Sequence, residues 1–375
     1  MSEWPIVKLG EVCKINPRRD KSITSSTEIS FIEMKSLLEN GNVHPVTVPA
    51  GKYLKGYTPF QKHDILIAKI TPCFQNGKIG LANIDTDFGF GTTEFHVVRS
   101  GETLSPEYLT FFLRQQWILD AGEKCMTGSG GQRRVPKAFL ENLKLPLPSL
   151  GEQKRIAEIL GGVSKAIQIL EHELQLLGEI SVLEQQNNLS TQKLSDLVTI
   201  RSGTVDPTLS VNRNLPHIAP DSIEKNTGRI LQIRSCKEDK VTSGKYHFYK
   251  GDVLYSKIRP YLNKVVIAPF EGLCSADMYA LRPKEGINSE VLQALLMSKD
   301  FLAYADQWSG RASIPKINRK TLLAYNVPKM TDSQVHEAKV KIQSIHKVVE
   351  LKCRKLSLLQ ELQKSLSNRA FAGLL

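Results

Sequence analysis

The stretch HDILIAKITPCF at residues 63–74 returns as GDVLYSKIRPYL at 251–262, and this duplication constrains the fold more than any other feature. In register, Asp64, Leu66, Lys69, Ile70 and Pro72 meet Asp252, Leu254, Lys257, Ile258 and Pro260. Lys8-Leu9 answers Lys193-Leu194, TTEFHVVR (92–99) answers SADMYALR (275–282), and VPK (135–137) answers IPK (314–316). A repeat this long is too large for a solenoid unit and fits duplicated domains. Two similar, non-identical copies suggest a molecule that reads two related but different things.

Each copy runs into a long helical pattern. In residues 151–189 apolar side chains fall at Ile156, Leu160, Val163, Ile167, Leu170, Leu174 and Leu177, in steps of four and three. That is a coiled-coil seam. The rhythm returns at Ala338, Ile342, Ile345, Val349, Leu356, Leu359 and Leu366, interrupted by Lys352 and Gln363. Prolines 146 and 148 precede the first stretch and Pro328 the second, as helix entries often show. A helix of about 40 residues is about 60 Å long, too long to bury its stripe in one compact domain. Pairing the two stretches antiparallel solves this. Residues 151–190 carry 3 basic and 6 acidic side chains, and residues 331–375 carry 8 and 4, which suits such a pair.

The predicted organisation is a domain at 1–150, a spacer helix at 151–190, a second domain at 191–330 and a second spacer helix at 331–375. DILIAKI, FHVVR, DVLYSKI and KVVIAPF read as strands. SPEYLTFFLRQQWILDAG and NSEVLQALLMSKDFLAYADQW read as helices opened by Ser or Asn caps. The fold class is therefore α+β: two similar α/β domains, each with a twisted, partly closed sheet, joined by two long antiparallel helices in a coiled-coil spacer.

Net charge is +12, with 21 basic and 13 acidic side chains in residues 191–330 alone, which favours an anionic partner. Polar and basic residues gather just beyond the strands. In the first copy these are Lys69, Thr71, Gln75, Asn76 and Lys78, then Gln132, Arg133, Arg134 and Lys137 behind the glycines of GSGGQRRVPK (128–137). In the second they are Lys257, Arg259, Tyr261, Asn263 and Lys264, then Gly310, Arg311, Lys316, Asn318 and Arg319. Arg, Lys, Asn and Gln match base edges in the major groove, and Lys and Arg neutralise phosphates. The same residues would also suit the solvated loops of any basic protein.

Chemistry of its own is not written in the chain. The glycines of TGSGGQ (127–132) match neither a Walker loop nor a dinucleotide fingerprint. INPRRD (15–20) lacks the rest of an amino-methyltransferase motif, and the eight histidines are scattered. Asp64 and Asp252 open strands beside apolar runs, where turn formation accounts for them. Six cysteines without a CxxC pair argue against zinc and against a disulfide framework. No apolar run approaches the roughly 20 residues of a membrane span, and no signal peptide is evident, so a cytoplasmic chain is expected.

Two units, each ending in a proline-bearing lead and a long helix, resemble the specificity subunit of a type I restriction–modification system. LENLKLPLPSLGEQKRIAEIL (140–160) is similar to that family's junction between a target-recognition domain and its first spacer helix. GSGGQRRVPKAF and DILIAKI fit as well. The second junction, LLAYNVPKMTDSQVHEAKVKI (322–342), lacks the double proline and the Glu-Gln. The resemblance implies that the chain is non-catalytic and binds double-stranded DNA. Each domain would read one half of a split site, and the helices would set the unread gap. Two methylation subunits would bind S-adenosylmethionine and methylate an adenine in each half, and restriction subunits would use ATP and magnesium. Competing readings are an architectural coiled-coil protein with protein-binding end domains, and the specificity subunit of a related system whose partner fuses nuclease and methyltransferase.

Overall fold

The computed structural model describes residues 4–129, 131–179, 190–310 and 314–375. The chain divides into two compact units, one of residues 1–169 with 356–375, the other of residues 170–355.

In the first unit a four-stranded antiparallel sheet has the order Cys13–Ile15, Phe95–Ser100, Ile65–Ala68, Ile79–Leu81. A second sheet runs Val46–Pro49, Glu28–Ile32, Phe88–Gly91, Thr58–Gln61, with its two central strands parallel. All four residues of Ile65–Ala68 are buried. Ile65 and Ile67 join a core with Leu109 and Phe112 of the helices, whereas Leu66 and Ala68 join one with Ile32 and Phe60 of the second sheet. A strand covered on both faces reads as a continuous apolar run. That need for a second covering layer explains why two sheets stand where one partly closed sheet was expected.

The second unit repeats this plan. Its first sheet runs Val198–Ile200, Met278–Pro283, Val253–Ser256, Val265–Ile267. Its second runs Thr204–Val205, Lys245–Phe248, Gly272–Cys274, Pro216–Ile218, Arg234–Ser235, again with one parallel pair. Val253 and Tyr255 face Leu292 and Phe301, and Leu254 faces Ile218 and Phe248.

Each predicted domain helix is two. Pro106–Leu113 starts at Ser105, whose hydroxyl accepts from the Tyr108 amide, and ends at Arg114. The Arg114 guanidinium donates to the carbonyls of Glu39 and Ile79, and a second helix follows at Gln116–Lys124. Ser289–Met297 starts at Asn288 and stops at Ser298, which is extended (ψ 151°) and caps Lys299–Trp308 through the Phe301 amide. A second capping hydroxyl inside an apolar rhythm thus divides the helix.

The long helices are Leu150–Glu179 and Asp332–Phe371. Residues 180–189 of the predicted first spacer lie outside the described residues. Within the first unit Ile156 and Leu160 share a core with Leu366 and Ala370, while Ser164 meets Gln363, so the helices run antiparallel there. Within the second unit Glu173 meets Lys352, and Val335, Ala338 and Ile342 enter the domain core. Ile167 and Leu170 are buried; Val163, Leu174, Leu177, Ile345, Val349, Leu356 and Leu359 are half-buried. These contacts fall at expected seam positions within each unit, and the helix ends do not stand free of the domains. Phe371 packs on Tyr108 and Phe112 at ring distances of 5.2 and 5.3 Å.

All six cysteines are free. Burial pushes the Cys13 and Cys274 thiols up to about 12, which keeps them protonated and inert.

Candidate nucleic-acid interface

In both units the residue that follows the central strand is crossed by a loop from later in the chain, and the backbone bonds of the crossing are the same. The Lys69 amide donates to the Glu94 carbonyl and the Lys69 carbonyl accepts from Val135; the Thr71 amide donates to Arg133, all at 2.9 Å. In the second unit the Lys257 amide donates to Asp277, its carbonyl accepts from Ile317, and the Arg259 amide donates to Pro315, at 2.8–3.0 Å. A side chain completes the frame in each unit, buried in the first and half-buried in the second. His96 Nε2 donates to the Val135 carbonyl at 2.9 Å, and Tyr279 Oη to the Ile317 carbonyl at 3.3 Å.

This frame corrects one register read from sequence. Val135 corresponds to Ile317, three residues beyond the Ile314 of the IPK match, so Arg133, Arg134 and Lys137 correspond to Pro315, Lys316 and Arg319. Backbone bonding, unlike a short motif, leaves no freedom in that alignment. Pro136 and Asn318 accordingly take the same place, each preceding a short helix.

The frame carries different side chains in the two units. In the first, Arg134 gives Nε and Nη2 to the two Glu94 carboxylate oxygens, both at 2.8 Å. That bond holds the Glu94 carboxyl below its ordinary range. Arg133 reaches Glu123 at 3.4 Å, and Gln75 donates to Thr71 Oγ1 and Glu123. Thr71 in turn donates to Met126 Sδ, and Asn76 to Glu39 at 2.8 Å. Lys69 and Gln132 lie in the same neighbourhood, Gln132 exposed. Lys78 and Lys137 are drawn off to structural tasks: Lys78 donates to the Met34 carbonyl at 3.1 Å, and Lys137 pairs with Glu141 one helical turn on, at 2.7 Å.

The second unit is more open. Arg259 and Tyr261 are exposed and carry no side-chain partner among the described residues. Arg259 sits at φ 46°, a left-handed conformation that side chains rarely adopt and that concentrates at functional sites. Lys257 lies 5.5 Å from the Tyr279 ring centre. Lys316 pairs loosely with Asp277 at 3.3 Å, and Arg319 Nη2 reaches the Ile200 carbonyl. Three candidates hold structure instead. Asn263 is 7% exposed and donates to the Met297 carbonyl. Lys264 donates to the Pro220 carbonyl at 2.6 Å, and the Asn318 carboxamide caps its helix through the Thr321 amide. Gly310, at φ 79°, is placed on this loop, whereas Arg311 lies outside the described residues.

Sequence reasoning missed the carboxylates that neutralise these loops. The signal was present: TTEFHVVR and SADMYALR align Glu94 with Asp277, and each acid pairs with a base of the crossing loop. It also missed Arg99, which binds buried Asp64 through Nε and Nη2 at 2.8 and 2.7 Å, and Arg201 and Arg282, which bind buried Asp252. Asp64 and Asp252 accept the Gln61 and Tyr249 amides as turn formers too.

The type I restriction modification DNA specificity domain matches residues 1–179 and, a second time, residues 187–344. The chain belongs to this family. Specificity-domain relatives include the specificity subunit of the Escherichia coli type I restriction enzyme EcoAI, 36% identical over 212 residues, which are 56% of this chain and 34% of that protein. The EcoEI subunit of Escherichia coli is 34% identical over 233 residues, 61% of this chain and 35% of its own length. The matched stretch thus spans about a third of either relative. Among solved structures, a chain from a study of complex assembly and conformational transition of the type I R-M system is 18% identical with a TM-score of 0.59, covering 99% of this chain and 98% of its own. The type I S subunit from M. genitalium is 13% identical with a TM-score of 0.58, covering 98% and 96%. The specificity-domain fold therefore extends over the whole chain.

Proposed function

We propose that this chain is the DNA specificity subunit of a type I restriction–modification system, reading one half of a split site with each unit. The observation that carries this is the duplicated crossing frame: one backbone scaffold at the same strand end of both units, bearing different polar and basic side chains. A fixed frame with exchanged side chains is what two related but different base sequences require. The residues nearest to free duty are Lys69, Gln132 and Arg133 in the first unit and Lys257, Arg259, Tyr261, Lys316 and Arg319 in the second.

The catalytic steps belong to partner subunits. Methylation subunits, two per complex, supply S-adenosylmethionine and modify an adenine in each half-site; restriction subunits supply ATP and magnesium chemistry. The helices offer these partners apolar ground outside the seam. In the first unit Ile169, Leu358 and Leu362 are 45–58% exposed, and in the second Leu176, Val340, Val348 and Leu351 are 41–59% exposed. No described helix is long and apolar enough to cross a membrane, and we place the complex in the cytoplasm with its DNA.

A genome-wide map of N6-methyladenine, with this gene intact and deleted, tests the reading. Loss of one split motif, two short halves around a fixed gap, supports it. An unchanged map in cells where the chain co-purifies with a methylation subunit overturns it.

A further inference from the structure

Two arginines of the second unit lie over one exposed tyrosine at the end of Val253–Ser256 opposite Lys257. The guanidinium carbons of Arg201 and Arg282 lie 4.6 and 5.3 Å from the Tyr249 ring centre. With Lys250 and Glu271 these residues line an open cavity of about 550 Å³.

The arginines are oriented by one buried carboxylate. Arg282 Nε donates to Asp252 Oδ1 at 2.6 Å, and Arg201 Nε to Oδ2 at 3.4 Å. Asp252 is fully buried, whereas the two arginine side chains are 44% and 31% exposed. Each guanidinium carries five N–H donors, and here only the Nε group of each is engaged. Their terminal amino groups have no partner among the described residues. Glu271, the other acid at the cavity, faces the His247 imidazole at 3.0 Å.

The first unit lacks this arrangement although its backbone is the same. Asn16 and Arg201 both donate their amides to the central neighbouring strand, at Val97 and Ala280. Gln61 and Tyr249 both donate to the strand-opening aspartate. Asn16, however, turns its side chain to His96, Gln61 offers no ring, and Arg99 closes both prongs on Asp64. Lysine is common to both copies, as Lys62 and Lys250, but one copy has a two-pronged ion pair where the other has two open guanidinium forks against a ring.

Open forks beside a ring suit a phosphate, which takes two parallel N–H bonds from a fork. The short helix that follows the crossing loop reaches towards the patch: Arg319 Nη2 lies 3.4 Å from the carbonyl of Ile200, the residue before Arg201. We propose that Arg201, Lys250 and Arg282 grip a backbone phosphodiester of the DNA beside the second half-site, an anchor whose Arg201 fork and Tyr249 ring have no counterpart in the first unit. The inference rests on the proposed DNA-reading function.

The test uses the full chain in complex with its methylation partner, carrying Arg201→Asn, which restores the first unit's residue, together with Lys250→Gln. Arg282 is kept so that Asp252 retains a partner. Duplex affinity is measured between about 50 and 200 mM salt; the slope of log K against log salt should shrink by about 1, the worth of one phosphate contact, with the preferred bases of both half-sites unchanged. A folded double variant with the wild-type slope overturns the anchor, as does one that changes base preference at the second half-site. Inorganic phosphate, titrated while following the thermal midpoint, separates the other source of the same chemistry. Protection of the wild type but not the variant, with an unchanged slope, would assign the cavity to a free phosphate and overturn the DNA contact. If the wild-type complex prefers no duplex sequence, the proposed function fails instead, and absence of phosphate protection then removes the site as well.

Discussion

Asp64 shows how much one buried carboxylate can organise. It is 1% exposed, forms the turn before the central strand through the Gln61 amide, and clamps Arg99. Asp64→Asn keeps the shape and loses the charge, leaving a guanidinium with reduced access to water. We expect about 2 kcal/mol of destabilisation by denaturant unfolding, below the usual 3–5 for a broken buried pair because Arg99 is 27% exposed. His96 makes the first unit sensitive to acid. Burial holds its imidazole below the ordinary 6.5, against the opposing bond to the Val135 carbonyl, with Lys69 and Lys137 adding to the depression. The folded state thus keeps the neutral ring while the unfolded chain takes up a proton near 6.5. The stabilisation is whole above that pH and is lost as pH falls from 6.5 through the lower folded value. Thermal midpoints of the wild type should drop in that window, and those of His96→Asn should be flatter. At this scale the sequence picked out residues that the fold brings together, but not the structural bonds that several of them make. Lys78, Asn263 and Lys264 look like ligand residues until their carbonyl partners are seen, because only the fold brings Met34, Met297 and Pro220 beside them.

At the scale of elements, the seam was legible because its period is written in the sequence, and its breaks turn out to be paired. Gln363 donates to Ser164 Oγ at 2.6 Å, and Lys352 meets Glu173 at 2.7 Å. Polar partners in an apolar seam fix register at a cost in stability. Replacing both Ser164 and Gln363, by Ala and Leu, should therefore leave stability equal or raise it by about 1 kcal/mol in denaturant unfolding, while Gln363→Leu alone should not. Glu173→Gln should leave the denaturant midpoint almost unchanged, because both partners remain wetted. Removing one heptad from each long helix shortens the pair by about 10 Å, the rise of about 3 base pairs. On the proposed function, the methylated motif should keep both halves and change only its gap; an unchanged gap in an active variant would refute the ruler. What the periodicity could not reveal was the division of each domain helix at Arg114 and Ser298. The break at Ser298 depends on a capping bond that competes with the helix, and Arg114 at the other break is bound to the carbonyls of Glu39 and Ile79.

For the whole molecule, the repeat was the clearest text in the sequence, and it carried the topology of both units. The crossing loop was harder to align, since VPK and IPK are good matches three residues out of step. Replacing the loop bases Arg133 and Arg134 with Ala should weaken binding to one half-site only, by about 1–3 kcal/mol for each good base contact. Methylome mapping or competition with half-site mutants would show which half. Equal loss at both halves would contradict the assignment of one unit to one half-site.

The packing of Phe371 against Tyr108 and Phe112 has a consequence for biosynthesis. Phe371→Ala should loosen the first unit by about 2 kcal/mol and spare the second, as hydrogen exchange would report. Yet this aromatic leaves the ribosome only after the entire second unit has been translated. The nascent first unit must therefore wait with an apolar groove uncovered, a substrate for chaperones, until the chain returns to close it.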